Sequence, residues 1–136
     1  MKKMITALLL LSPVLFSCKK DKKNCDLNSG NIVGSYKVTA AIFHEPGSTP
    51  VNDFATWDAC EQDDITVLNA NGTANINDVG TVCTTSGSGV TTWSLSGDQF
   101  TFDGELYTVT AFDCSGTTLV HTESTGATYT LTLAKQ

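Results

Sequence analysis

Four tight turns, Gly97-Asp98, Asp103-Gly104, Cys114-Ser115-Gly116 and Ser124-Thr125-Gly126, punctuate the C-terminal part of this chain and leave little choice of fold. Two-residue loops centred on Gly-Asp or Asp-Gly supply the positive φ of type II′ and I′ hairpins. Three-residue loops ending in glycine suit a type I turn closed by a left-handed residue. Each turn therefore sets the register of the strands beside it. Gly97-Asp98 puts Leu95 opposite Phe100 and Trp93 opposite Phe102, while Asp103-Gly104 puts Phe102 opposite Glu105 and Phe100 opposite Tyr107. The Cys114-Ser115-Gly116 loop predicts Ala111 opposite Leu119 and Val109 opposite His121. The last turn predicts His121 opposite Tyr129 and Leu119 opposite Leu131.

These pairings agree on one apolar face across five strands between Val90 and Leu133, with Trp93, Phe100, Phe102, Tyr107, Val109, Ala111, Leu119 and Leu131 on it. The other face is mostly threonine, with Leu106, Phe112 and Val120 as apolar exceptions. A slip of one residue would send the whole apolar set to water, so the agreement specifies an antiparallel meander with one buried side.

Upstream, Asn31 to Phe43 reads as a strand with Tyr36, Val38, Ala40 and Ile42 facing in. A hairpin follows at Ile65–Leu68 and Thr73–Ile76, where Leu68 opposite Thr73 sets Val67 against Ala74 and Ile65 against Ile76. The segments 44–61 and 77–89 are rich in Pro, Gly, Ser and acidic residues and read as long loops, the first with a helical turn near Asn52 to Trp57. The sum is an all-β, eight-stranded antiparallel up-and-down barrel, which removes both sheet edges and can enclose one small ligand.

Cysteine positions follow from that topology. Alternate connections lie at opposite ends of such a barrel, which puts Cys60 and Cys83 at one end and Cys25 and Cys114 at the other. Strands of about seven residues span roughly 23 Å, whereas a disulfide needs Cα atoms within about 7 Å. Cross-end pairing is excluded, leaving Cys25 with Cys114 and Cys60 with Cys83. Each bridge contributes about 2 to 4 kcal/mol.

Residues 1–17 have the basic start, short apolar run and small-residue exit of a cleaved export signal. Leu15-Phe16-Ser17-Cys18 resembles the lipobox of bacterial lipoproteins, a resemblance that implies cleavage before Cys18 and a diacylglycerol on its thiol. Removing Cys18 from the count leaves four cysteines for two bridges, as suits an exported protein. Residues 18–30 then form a polar tether, and 31–136 the barrel domain. Lys19, Lys20, Lys22 and Lys23 follow the anchor, where they can lie against anionic headgroups. From Cys25 onward only Lys37 and Lys135 oppose thirteen acidic side chains, and the chain has no arginine. So acidic a domain repels phosphate backbones, which argues against nucleic acid as a partner. The expected location is the cell envelope, on a bacterial outer membrane facing the periplasm, as a monomer.

The barrel segment resembles the lipocalin-like lipoproteins of bacteria, within the wider lipocalin barrels. The resemblance rests on Gly34-Ser35-Tyr36 where the family's first strand has Gly-x-Trp, the acidic lead-in Asp58–Asp64, Leu68–Thr73, and Thr92-Trp93-Ser94-Leu95. Tyrosine replaces the tryptophan, and there is no arginine to pack on it. The resemblance implies binding or carriage of a small, mostly apolar molecule. The residues expected to line its site are Tyr36, Trp93, Phe100, Phe102, Tyr107, Val109, Leu119, His121 and Tyr129. A second reading is a filled, non-catalytic envelope barrel that contacts a protein or glycan through its acidic mouth loops.

Chemistry has little footing. His121, Glu123, Tyr107 and Tyr129 on one wall could orient a ligand's polar head or exchange protons, but a core histidine bonded to a tyrosine describes them as well. Asp58, Glu61, Asp63, Asp64 and Asp78 lack the spacing of a calcium loop and read as solvated charge. No serine elbow, phosphate loop or paired metal histidines occur, so no enzyme activity, cofactor or metal is expected.

Overall fold

The computed structural model describes residues 25–84 and 87–136. The expected export signal, Cys18 and the four lysines after it lie outside the described residues. The strands are β1 (Gly34–His44), β2 (Val51–Asn52), β3 (Ile65–Leu68), β4 (Thr73–Asn77), β5 (Gly89–Ser96), β6 (Gln99–Phe102), β7 (Glu105–Asp113), β8 (Gly116–Thr122) and β9 (Thr128–Lys135). Every neighbour pairs antiparallel, and β1 closes the sheet by pairing with β9 from Tyr36–Lys135 to His44–Thr128. On its other edge β1 meets β3 over Gly34–Tyr36, and the two-residue β2 over Ile42 and Phe43. The result is the expected closed, eight-stranded up-and-down barrel, with β2 as a short strip beyond the end of β3.

The registers around β6 and between β8 and β9 are the expected ones, from Trp93–Phe102 and Phe100–Tyr107 to His121–Tyr129 and Leu119–Leu131. Their turns have the expected backbone: Gly97 at φ 62, Asp103 and Gly104 at φ 51 and 85, and Gly126 at φ 85.

Three strands depart from expectation. Asn69 N donates to Thr73 O at 2.8 Å, so the β3–β4 loop is Ala70-Asn71-Gly72 and Leu68 faces Ala74 rather than Thr73. Leu68 and Thr66 thereby turn inward in place of Val67 and Ile65.

The β7–β8 turn is Cys114-Ser115 alone, with Asp113 paired to Gly116. Asp113 Oδ1 accepts hydrogen bonds from Ser115 N at 2.7 Å and Gly116 N at 2.9 Å, which tightens the turn without a left-handed residue. Gly116 is needed instead for close approach, since a Cβ there would collide with the Leu133 carbonyl oxygen. A bulge at Thr110 then shifts the ladder, giving Val109–Leu119 and Ala111–Thr118 instead of Val109–His121 and Ala111–Leu119. Below the bulge Phe112 turns to the core, opposite the buried Thr117, while Ala111 is exposed.

A second bulge lies at Thr39 in β1, where Val38 pairs with Leu133 and Ala40 with Thr132. It moves Ala41, wholly buried, to the inside in place of Ala40 and Ile42. At both bulges the threonine hydroxyl reaches a carbonyl of the neighbouring strand, Thr132 O at 3.2 Å and Thr118 O at 3.5 Å.

Both expected disulfides are present: Cys25–Cys114 at one end and Cys60–Cys83 at the other, with Cα separations of 5.3 and 5.2 Å. The first end is sealed. A one-turn helix α1 (Ser29–Ile32), capped by Asn28 Oδ1 on Asn31 N, inserts Ile32 into the floor in place of the strand start expected at Asn31. Tyr36 donates its hydroxyl to Ile32 O at 2.7 Å. Lys135 Nζ donates to Asn31 O at 2.8 Å and stands 5.6 Å from the centre of the Tyr36 ring. Gly34 adopts φ 146, which side-chain-bearing residues rarely take, and a Cβ there would also displace the end of the Lys135 side chain, which explains the glycine ahead of Tyr36.

Because the Thr110 bulge reverses the faces of β7, Phe112→Ala is expected to cost about 2 kcal/mol, and Ala111→Ser to stay within about 0.5 kcal/mol. Urea unfolding of both variants with disulfides intact measures the difference, and equal costs would contradict the bulged register.

Candidate ligand pocket

Between the floor and the mouth, the barrel keeps a pocket of about 150 Å³ walled by β1, β3 and β6–β9. Five of the nine residues expected to line it do so: Tyr36, Phe100, Phe102, Tyr107 and Leu119. Trp93 and Val109 are buried but lie outside the lining. Trp93 stacks on Phe100 at 6.1 Å, and its indole N–H donates to Asn69 O at 2.9 Å, so it braces the β3–β4 turn. Val38, Leu131 and Leu133 complete the wall with Leu68, Thr66, Thr117 and the floor residue Ile32. The first three lie at inward positions of the sequence pattern. Thr117 lies there too, two residues from Leu119 on β8, whereas Leu68 and Thr66 line it only because of the β3–β4 loop, which the pattern does not reveal.

His121 and Tyr129 also lie outside the pocket lining. His121 faces Tyr129 across β8–β9, but its ring tilts against Tyr107 at 5.5 Å, and its Nδ1 donates to Leu106 O at 2.8 Å. Tyr129 donates to Asp53 Oδ2 at 2.6 Å, and Trp57 Nε1 donates to the same oxygen at 3.2 Å. The backbone N–H of Asp53 donates to Ala41 O at 2.9 Å. One carboxylate thus ties the long first loop, with its 3-10 turn at Phe54–Thr56, to the rim of β1 and β9. The Tyr129 and Trp57 hydrogen bonds hold the Asp53 carboxyl below the usual range. Burial, then the Asp53 hydrogen bond, pushes the Tyr129 hydroxyl up to about 12. Glu123 is exposed in the β8–β9 turn, so the wall of histidine, carboxylate and phenols expected from sequence does not converge on one point.

The acidic segment braces the other mouth loop. Asp63 Oδ2 accepts from Thr81 N at 2.8 Å and Asp78 Oδ2 from Cys83 N at 3.2 Å, beside the Cys60–Cys83 bridge. One oxygen of each of Asp63, Asp64 and Asp78 is buried without a hydrogen-bond partner. Burial, then the charges of Asp78 and Asp63, raises the Asp64 carboxyl. Among the described residues no group of three or more His, Cys, Asp or Glu side chains is placed to hold a metal.

A closed antiparallel barrel, a glycine-led first strand under an aromatic floor and a pocket inside it carry the comparison with known families. The family model for the lipocalin-like domain matches residues 32–121. The chain belongs to the lipocalin-like domain family. No curated protein matches it significantly. Lipocalin-like barrels as a class bind or carry small hydrophobic ligands and are typically non-catalytic. Lys135 stands over the Tyr36 ring at the floor of this barrel. Its two disulfides suit an extracytoplasmic setting. Among the described residues no helix is long and apolar enough to cross a membrane.

The raised Asp64 carboxyl fixes a sign. Its charged form is disfavoured in the folded state, so stability falls as pH rises from the ordinary carboxylate value through the raised one. Asp64→Asn is therefore expected to raise the melting temperature near neutral pH and to lose that advantage below about pH 3.5. Thermal unfolding across this range measures it, and a gain independent of pH would contradict the assignment.

Proposed function

We propose that this chain is a lipid-anchored lipocalin-like protein of the bacterial cell envelope that binds a small, mostly apolar molecule inside its barrel. The pocket of about 150 Å³ supports the reading: its wall is aliphatic and aromatic apart from hydroxyls, and no charged side chain lines it. A wholly filled barrel acting only through acidic loops has no use for such a space. Tyr36, Phe100, Phe102, Tyr107 and Leu119 are the ligand contacts carried forward from the sequence.

The anchor is Cys18, following Leu15-Phe16-Ser17, with residues 1–17 as the signal removed. The tether from Cys18 enters the domain at Cys25, which is bridged to Cys114 at the sealed end. The mouth therefore opens away from the bilayer, while Lys19, Lys20, Lys22 and Lys23 lie at the headgroups. The domain works as a monomer on the periplasmic face of the outer membrane.

Native mass spectrometry of protein purified from its own host tests the carrier role: a co-purifying small molecule supports it, and an empty barrel unresponsive to any apolar compound refutes it. Cys18→Ser is expected to abolish incorporation of labelled palmitate and to release the protein from the membrane fraction. Retention of the label would contradict the anchor.

A further inference from the structure

The pocket's size and its hydroxyls restrict the ligand further, on the reading that the barrel interior is a binding site. Pockets that bury a drug-sized ligand run from about 300 to 1,000 Å³, whereas this one is about 150 Å³. Apolar cavities of about that size hold one benzene-sized molecule. The limit is built from rigid parts. Ile32, wholly buried, stops the floor under the Tyr36 ring, and Phe100 stacks between Trp93 and Phe102 at 6.1 and 6.3 Å along the wall.

Four hydroxyl side chains line the space: Tyr36, Thr66, Tyr107 and Thr117. Two have spent their hydrogens inside the protein, Tyr36 on Ile32 O at 2.7 Å and Thr117 on Ala111 O at 3.1 Å. Among the described residues the hydroxyls of Thr66 and Tyr107 have no partner, and both can donate. Burial, with Glu105 nearby, raises the Tyr107 hydroxyl above the usual phenol range, so it keeps its proton. With no charged group in the lining, an ionised ligand would lose its hydration without gaining a counter-charge.

We propose that the pocket takes one compact, uncharged, single-ring molecule bearing a hydrogen-bond acceptor for Tyr107 and Thr66, and that it excludes long-chain fatty acids, retinoids and haem. The purified full-length chain, labelled at leucine methyls, is titrated with 4-methylphenol, toluene and palmitate, following the methyl signals of Leu119, Leu131 and Leu133. The expected result is saturable shifts with 4-methylphenol, about fivefold weaker binding of toluene, and no shifts at these methyls with palmitate. In Tyr107→Phe, whose spectrum reports its own folding, 4-methylphenol should weaken about fivefold while toluene is unchanged. Palmitate moving the same methyls would overturn the size limit and leave the carrier reading intact. Equal affinity for 4-methylphenol in the parent, in Tyr107→Phe and in Tyr107→Phe with Thr66→Val would overturn the hydrogen-bond assignment. No response to any of the three would overturn this proposal, and a co-purifying ligand of another kind would then still sustain the carrier role.

Discussion

The ladder between β1 and β9 is the constraint on which the rest of this molecule depends. Without it the sheet would keep two free edges, each a row of unpaired backbone groups, and its apolar face would lie open to water instead of folding onto itself. With it, nine consecutive residues from Tyr36 to His44 lie along the last strand, interrupted once at Thr39. The same pairing brings Lys135 beside Tyr36 and Tyr129 beside Phe43, so one end of the ladder builds the floor and the other supports the rim.

The floor is held by contacts of several kinds. A cation lying on an aromatic face, as Lys135 does on Tyr36, contributes about 0.5 to 2 kcal/mol depending on desolvation. That pair is supplemented by two hydrogen bonds to the helix α1, from Tyr36 to Ile32 O and from Lys135 to Asn31 O. Those bonds hold Ile32 in the floor, and Ile32 sets the depth of the pocket.

How far the fold could be read from the sequence follows from where the chain obeys strict alternation. Strands β5 and β6, the upper part of β7, and β8 with β9 do obey it, and glycine or Asp-Gly turns with positive φ pin their registers. The cysteine pairing was legible too, because it needs only the order of the connections and the length of a strand. The Thr39 and Thr110 bulges were not, since an inserted residue leaves no mark in composition and threonine suits either face of a strand. The apolar Phe112 among the outward threonines was the one trace of the Thr110 bulge, and it reads as an exception until the register is known. The candidate pocket inherits the same division. Phe100, Phe102, Tyr107 and Leu119 were found by alternation, whereas Leu68 and Thr66 required the irregular β3–β4 loop. His121 and Tyr129 face each other as the turn predicts, yet hydrogen bonds to Leu106 O and Asp53 engage them away from the pocket.

The two bulges have a consequence for the evolution of this barrel. Each adds a single residue in mid-strand, so a relation by descent to a chain with uninterrupted strands would require a one-residue gap at Thr39 or Thr110, inside a strand rather than in a loop. Ancestral loss or gain at these points would exchange inward and outward positions only on one side of the break, leaving the turns and both bridges where they are. Variation in length within these strands is thus a route by which the barrel interior can be rewritten while its connections stay fixed.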